Sequence, residues 1–340
     1  MLMVVFGAGA SFDSAPSRKP IAPTIQGHRP PLADNLFDGR EEFRGALNNY
    51  WQIQPIVPYL RERGTKSLEE VLQELYENTE NHPQRSRQMM ALRFYIRDVI
   101  DMCSKGWLKD IDGVTNHKTL VDQILERPSE RTLFVTFNYD ELIENALLSL
   151  GFRTEYFEDY VTRLSQFGLY KLHGSIRWAR LVKPVFKPSS PIQLSQLIDD
   201  ATSHSLDQKD AFRIYQNLRV TTIDDWLAIP AIMVPIYKKS SFECPREHLN
   251  NLINYLPHVD KILAIGWRAK EAHFMSLLTQ HLRNLRAIWV VSKNDANTIL
   301  RDLTDQLSSK FAPRNVSTAA FEEGFTNFVT AKAGGALFGM

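Results

Sequence analysis

The chain opens Met1-Leu2-Met3-Val4-Val5-Phe6 and runs straight into Gly7-Ala8-Gly9-Ala10-Ser11. Six apolar, partly β-branched residues without alternation read as a strand buried on both faces, the pattern of a parallel sheet. The glycines read as the turn that ends it. Parallel neighbours need crossover connections, so such a strand calls for helices between it and the next strands. Further runs of the same kind lie at Thr132–Thr136, Ile229–Ile236, Lys261–Ile265 and Ala287–Val291. Helices are expected over Glu141–Leu150, closed by Gly151, and from Asn294 or Asp295 to about Leu307. The alternation predicts an α/β fold, a Rossmann-like doubly wound parallel sheet.

The 340 residues amount to about two domains. Between Ser14 and Asn35, five prolines (Pro16, Pro20, Pro23, Pro30 and Pro31) and Gly27 exclude helix and central strand and leave a long loop. Ser67 and Glu70 form a capping box ahead of Leu68, Val71, Leu72 and Leu75 at helical spacing. Ser86–Ser104 continues the helical pattern, and Arg85, Arg87, Arg93 and Arg97, interleaved with Asp98 and Asp101, read as a solvated face. We therefore expect a helical insertion over 40–130, with 1–39 and 131–340 forming the sheet domain. From Pro313 onward only a short tail is expected. Its end, Ala331–Met340 with Gly334-Gly335, reads as a flexible segment or an arm ordered in an assembly.

Composition narrows the function classes. A net charge of +1 gives no field for nucleic acid or an anionic membrane, although Lys238-Lys239 forms a small local patch. No run reaches the length of a membrane span, and Gly7 interrupts the first apolar run before it resembles a secretion signal, so a cytoplasmic protein is expected. The two cysteines, Cys103 and Cys244, are far apart; they exclude a disulfide framework and a four-cysteine zinc site, and no metal is expected.

Three motifs carry possible chemistry. Gly7-Ala8-Gly9-Ala10-Ser11 sits where glycines let a backbone approach a pyrophosphate and where Ser11 reaches its oxygens; Phe12 replaces the third glycine of the dinucleotide fingerprint, so an ordinary tight turn is an equal reading. Thr136-Phe137-Asn138-Tyr139-Asp140 lies at the carboxyl end of a strand, where open α/β sheets place ligand-contacting side chains. Its bland alternative is a helix cap from Asn138 or Asp140. Tyr170-Lys171-Leu172-His173-Gly174-Ser175 sets a histidine at a strand-to-turn boundary, a place for an accessible imidazole or for a structural one.

In order and character, these motifs resemble the sirtuin-like superfamily, and in particular its NAD-hydrolysing (NADase) branch in prokaryotic anti-phage defence. Ile262–Trp267 resembles that family's strand-glycine turn, and Val290–Asn294 its strand beside the adenine ribose. The resemblance implies NAD+ as substrate, Asn138 holding ribose and nucleophile, His173 as general base and Asp140 orienting the nicotinamide amide or the asparagine loop. It also implies a nucleotide site built from Gly7, Ala8, Gly9, Ser11, Asp13, Gly266, Trp267 and Asn294, with Asp13 on the nicotinamide side. Cleavage expels neutral nicotinamide from a pyridinium, so the reaction needs no general acid; it needs a stabilised sugar cation and a positioned water.

The missing four-cysteine module separates this chain from the deacylases of the superfamily. Trp267-Arg268-Ala269-Lys270 also differs from relatives with a small hydroxyl residue after the glycine; Arg268 is either a phosphate contact or plain surface. The expected function is therefore an NAD+ hydrolase that yields nicotinamide and ADP-ribose and depletes NAD+ in abortive infection. No segment reads as a sensor, which points to control by assembly, as a homo-oligomer or with a HerA-like ATPase partner. The rival readings are a non-catalytic NAD or ADP-ribose-binding subunit and, further off, an NAD-dependent deacylase.

Overall fold

The structure, a computed structural model, describes residues 1–15, 27–78, 82, 84–126, 131–161, 166–182, 194–200, 208–215, 222–223, 226–236, 242–310 and 316–335. Most of the proline-rich stretch between Ser14 and Asn35, the Lys238-Lys239 patch and the last five residues fall outside them. The backbone packs as two compact units. One comprises Met1–Pro30, Ser104–Leu172 and Arg246–Met340, the other Pro31–Cys103 and His173–Pro245. The second unit thus takes in 173–245 beside the helical residues, where sequence pattern suggested one insertion over 40–130.

The strands are β1 (Leu2–Phe6), β2 (Thr132–Thr136), β3 (Phe167–Lys171), β4 (Gly174–Val182), β5 (Gln208–Ile214), β6 (Thr222–Ile223), β7 (Trp226–Ile232), β8 (Lys261–Ile265), β9 (Ala287–Val291) and β10 (Ser317–Phe321). In the first unit, six of them form a parallel sheet in the order β10-β9-β8-β1-β2-β3. Counted along the sheet's own strands this is 3-2-1-4-5-6, the Rossmann order, and the winding reverses between β1 and β8. Every residue of β1, β2, β3 and β9 is buried, as continuous apolar runs between two helical layers require. The register aligns the strand ends: Phe6 pairs with Thr136 and with Ile265, and Ile265 pairs with Val291. Their successors Phe137, Gly7, Gly266 and Ser292 therefore lie along one carboxyl edge, where open α/β sheets bind ligands.

Three expectations need correction. The run Ile229–Ile236 does not join the parallel sheet. Its first part belongs to β7, in a four-stranded antiparallel sheet of the second unit, ordered β5-β4-β7-β6. Pro230 has no amide to donate, and it stands beside Ala179 where the β4–β7 register shifts. The supposed tail after Pro313 contains the sixth parallel strand, β10, and a helix over Gly324–Thr330 that buries Phe325, Phe328 and Val329. The small, partly exposed residues of Ser317–Phe321 give an edge strand little apolar signal. Finally, the helix expected over Ser86–Ser104 runs from Gln84 to Asp110. Gly106 does not break it; a Cβ there would stand 2.3 Å from the His28 ring, so the glycine makes room for a side chain packed on the helix.

The helix Leu142–Leu148 ends two residues before the expected Leu150, and Gly151 (φ 80°) takes the left-handed turn with its N–H on the Leu148 carbonyl. At the switch point the glycines matter through contact. Gly266 has φ 58°, and a Cβ on it would lie 2.2 Å from Ala10 N; one on Gly7 would lie 2.4 Å from Gly266 O. Gly266→Ala is expected to lose about 3 kcal/mol or more of stability through strain and main-chain overlap. Gly45→Ala, inside the helix Glu41–Leu47 with open space around its Cβ, should gain about 0.5–1 kcal/mol. Urea denaturation of both variants checks the opposite signs.

Candidate active site

The turn after β1 is built by backbone hydrogen bonds. Gly7 N–H donates to Ile265 O (3.0 Å) and Gly9 N–H to Gly266 O (3.1 Å), while Gly266 N–H donates to Val291 O (2.8 Å). The amides of Gly7 and Gly9 thus tie the turn to the β8 turn. A short helix, Ala8–Phe12, starts here, with Ala8 exposed and Ser11 buried on its inner side.

Ser11 meets the second motif. Asn138 Nδ2 donates to Gly7 O (2.9 Å) and to Ser11 Oγ (2.8 Å), and Ser11 Oγ donates to Asp140 Oδ2 (2.6 Å). Asp140 Oδ1 accepts the N–H of Leu142 (3.0 Å) at the start of the helix Leu142–Leu148. Asp140 thus receives a helix-start amide on one oxygen and, on the other, the hydroxyl of the serine that accepts from Asn138. Two main-chain amides set the strand end in place, Asn138 N–H donating to the Thr136 side-chain Oγ1 (3.0 Å) and Phe137 N–H to Phe6 O (3.1 Å). With both Nδ2 hydrogens engaged, Asn138 has Oδ1 left to offer as an acceptor.

Beneath this network lies a buried polar cluster that sequence reasoning did not find. Lys171, the last residue of β3, is 0% exposed and pairs with Glu144 Oε1 at 2.8 Å, itself 1% exposed. Lys171 Nζ also donates to the Asp140 carbonyl, and Lys171 N–H donates to His248 Nε2 (3.0 Å). Burial pushes Glu144 up to about 7, against the pull of the lysine. Burial, with a smaller contribution from the Lys171 charge, lowers His248 to about 3. His117, packed between Phe6 and Phe325 at centroid distances of 5.0 and 5.3 Å, is lowered by burial to about 4; the nearby Asp140 charge acts in the opposite direction. Lys171 does stand in the quoted histidine-glycine motif, and Glu144 sits one helical turn after Asp140. Nothing in the sequence pairs them.

The other expected residues fall as follows. Asp13 faces the helix Gly324–Thr330: Thr326 N–H donates to Oδ2 (3.1 Å) and Thr326 Oγ1 to Oδ1 (2.8 Å), while Asn116 Nδ2 donates to the Asp13 carbonyl (2.7 Å). Trp267 is buried, stacks on Phe137 at 5.7 Å, meets Phe274 edge-on and donates its indole N–H to Glu271. Its ring thereby supports the residue next to Asn138. Asn294 is exposed after β9 with φ 75°, a conformation asparagine tolerates, and its N–H donates to Glu322 O (3.3 Å). Arg268 is exposed. His173 belongs to the second unit, where it is buried and its carbonyl accepts the N–H of Met233 (3.0 Å). Among the described residues no group of three His, Cys, Asp or Glu is placed to hold a metal ion, and no helix is long and apolar enough to cross a membrane.

The protein is thus of the α/β class, with a Rossmann-order sheet that gathers an amide, a hydroxyl and a carboxylate at its switch-point edge. A family model of the SIR2-like domain matches residues 132–312, and the chain belongs to that family, whose members are NAD-dependent enzymes. Similar solved structures include a Sir2 protein in complex with the inhibitor EX-527, 2′-O-acetyl-ADP-ribose and a deacetylated p53 peptide (12% identity, 98% of this chain and 94% of that one covered, TM-score 0.37). Another is a sirtuin from work on the structural basis of sirtuin substrate affinity (12% identity, 97% and 92% covered, TM-score 0.33). No curated protein sequence matches the chain.

The buried histidines give the fold an acid limit. His117 and His248 have folded values below their ordinary 6.5, so their contribution to stability is complete above that pH and is lost as pH falls toward about 4 and 3. Each adds up to about 1.4 kcal/mol per pH unit to the slope. His117→Leu, which removes a buried Nδ1 without a hydrogen-bond partner among the described residues, should flatten the fall in unfolding free energy between pH 6 and 4.5 by about that amount. Chemical denaturation at a series of pH values measures the difference in slope.

Proposed function

We propose that the protein is an NAD+ hydrolase that cleaves the bond between nicotinamide and ribose, giving nicotinamide and ADP-ribose. The observation that carries this reading is the oriented Asn138, held through Ser11 by Asp140 at the carboxyl edge of the sheet beside its switch point. An amide fixed by its nitrogen presents Oδ1 to ribose hydroxyls and to the attacking water, the need of a reaction whose transition state is a sugar cation. The C1′–N bond breaks with its electron pair leaving on neutral nicotinamide. Water forms the new bond at C1′, and its proton passes to His173 as general base.

Family membership supports NAD+ as the substrate. In this reading the turn around Gly7, Ala8, Gly9 and Gly266 bounds the phosphate side, Trp267 backs Phe137, and Asp13 and Asn294 act at the rims of the site. The biological role that follows from the resemblance is NAD+ depletion in anti-phage defence. An enzyme of this kind has to be silent in healthy cells, and we assign its control to assembly, as a homo-oligomer or with a HerA-like ATPase.

The test is nicotinamide release from NAD+, followed by chromatography for the protein alone and mixed with a HerA-like ATPase. Turnover is expected, and Asn138→Ala and His173→Ala should each lower kcat by about 100-fold or more. ADP-ribose binding without turnover in every mixture would favour the non-catalytic subunit. Turnover indifferent to both substitutions would remove Asn138 and His173 from the chemistry.

A further inference from the structure

We infer that Lys171 is a positioning residue for Asn138, acting through the main chain of Asp140 from beneath the site; its kinetic test rests on the NAD+-cleaving reading above. The Lys171 side chain is 0% exposed, and a buried ion pair such as Lys171–Glu144 adds little stability over a well-packed apolar pair of the same volume. Packing alone therefore does not account for a charge at this place. What an ammonium does here that a methionine does not is donate to the carbonyl of Asp140.

That contact belongs to a set of donors that converge on Asp140. Lys171 Nζ donates to Asp140 O, Ser11 Oγ donates to Asp140 Oδ2, and Asn138 Nδ2 donates to Ser11 Oγ. The carbonyl fixes the peptide that follows Asp140, and the Leu142 amide on Oδ1 fixes the carboxylate's remaining freedom. Removing the ammonium would strand a buried carbonyl, which regains a partner only if the peptide turns. A turned peptide carries the carboxylate away from Ser11. The lysine is itself fixed from both sides, by Glu144 on the helix that Asp140 starts and by its own N–H on the neutral imidazole of His248.

The experiment replaces the pair with Lys171→Met and Glu144→Leu together and compares it with Asn138→Ala in a double-mutant cycle on nicotinamide release. Positioning predicts a fall of about 100-fold in kcat with KM for NAD+ changed far less. It also predicts that adding Asn138→Ala to the pair costs little more, since the asparagine has already lost its orientation. Multiplicative losses would overturn the proposal, because they would make the pair a matter of general stability. A second variant, Lys171→Gln with Glu144→Gln, keeps a donor without charge and should recover part of the rate; a loss equal to that of the apolar pair would count against donation to Asp140.

A readout independent of turnover is the Asn138 side-chain amide in 15N-resolved NMR of the full chain. Its hydrogens should be slow to exchange in the wild type and fast in the apolar variant. Unchanged protection would overturn the proposal even if the wild type released no nicotinamide, whereas lost protection with an inactive wild type would sustain it and reject only the hydrolase reading.

Discussion

The contact on which the first unit depends is the meeting of two turns, Gly7–Gly9 after β1 and Gly266 after β8, at main-chain distance. No side chain fits between them: Cβ atoms at Gly7 and Gly266 would fall within 2.4 Å of the opposing backbone. The two strands are neighbours in the sheet, but the chain winds away from each in opposite directions, so their turns would ordinarily diverge. Two hydrogen bonds donated by the first turn to the second, from Gly7 N–H to Ile265 O and from Gly9 N–H to Gly266 O, hold them together and set where the Gly7 carbonyl points. That carbonyl is one of the two acceptors of Asn138 Nδ2. The topology of the sheet and the orientation of the candidate catalytic amide are thus joined through a single peptide group.

Asp140 is the second junction. A carboxylate at the start of a helix interacts favourably with the helix dipole and satisfies an otherwise open N–H. Here only one oxygen meets that need, and the other holds Ser11. A side chain with two acceptor atoms and buried surroundings serves local structure and the site together, and its removal would disturb both.

The sheet was legible wherever a strand was a short apolar run. β1, β2, β8 and β9 are legible to within a residue of their observed ends because burial on both faces favours apolar runs in their centres. β4 escaped because Arg177 and Arg180 interrupt it. Their heads find partners, Arg177 on the Tyr215 carbonyl (2.9 Å) and Arg180 on Glu243 (3.0 Å), and such pairing is a property of the fold, invisible along the chain. β10 escaped for the opposite reason, a scarcity of apolar residues at a sheet edge. In the site, Ser11, Asn138 and Asp140 were each singled out from local motifs, and the hydrogen bonds that join them follow from the parallel register of β1 and β2. His117 and His248 were not found, since a buried neutral histidine looks in sequence like any other.

The direction of the hydrogen bonds bears on the chemistry. Ser11 has one proton, and it goes to the Asp140 carboxylate, so the serine oxygen is left richer in electrons toward Asn138. That oxygen draws on one Nδ2 hydrogen while the Gly7 carbonyl draws on the other. Withdrawal of both hydrogens toward acceptors shifts amide density onto Oδ1, the polarisation expected of a chain of hydrogen bonds in a low-dielectric setting. An electron-rich, immobile oxygen suits a reaction in which positive charge develops on a sugar, because its dipole needs no reorientation as that charge appears. The acceptor role of the Asp140 side chain toward Ser11 is therefore what gives the network its polarity, while the main-chain carbonyl of the same residue accepts from Lys171.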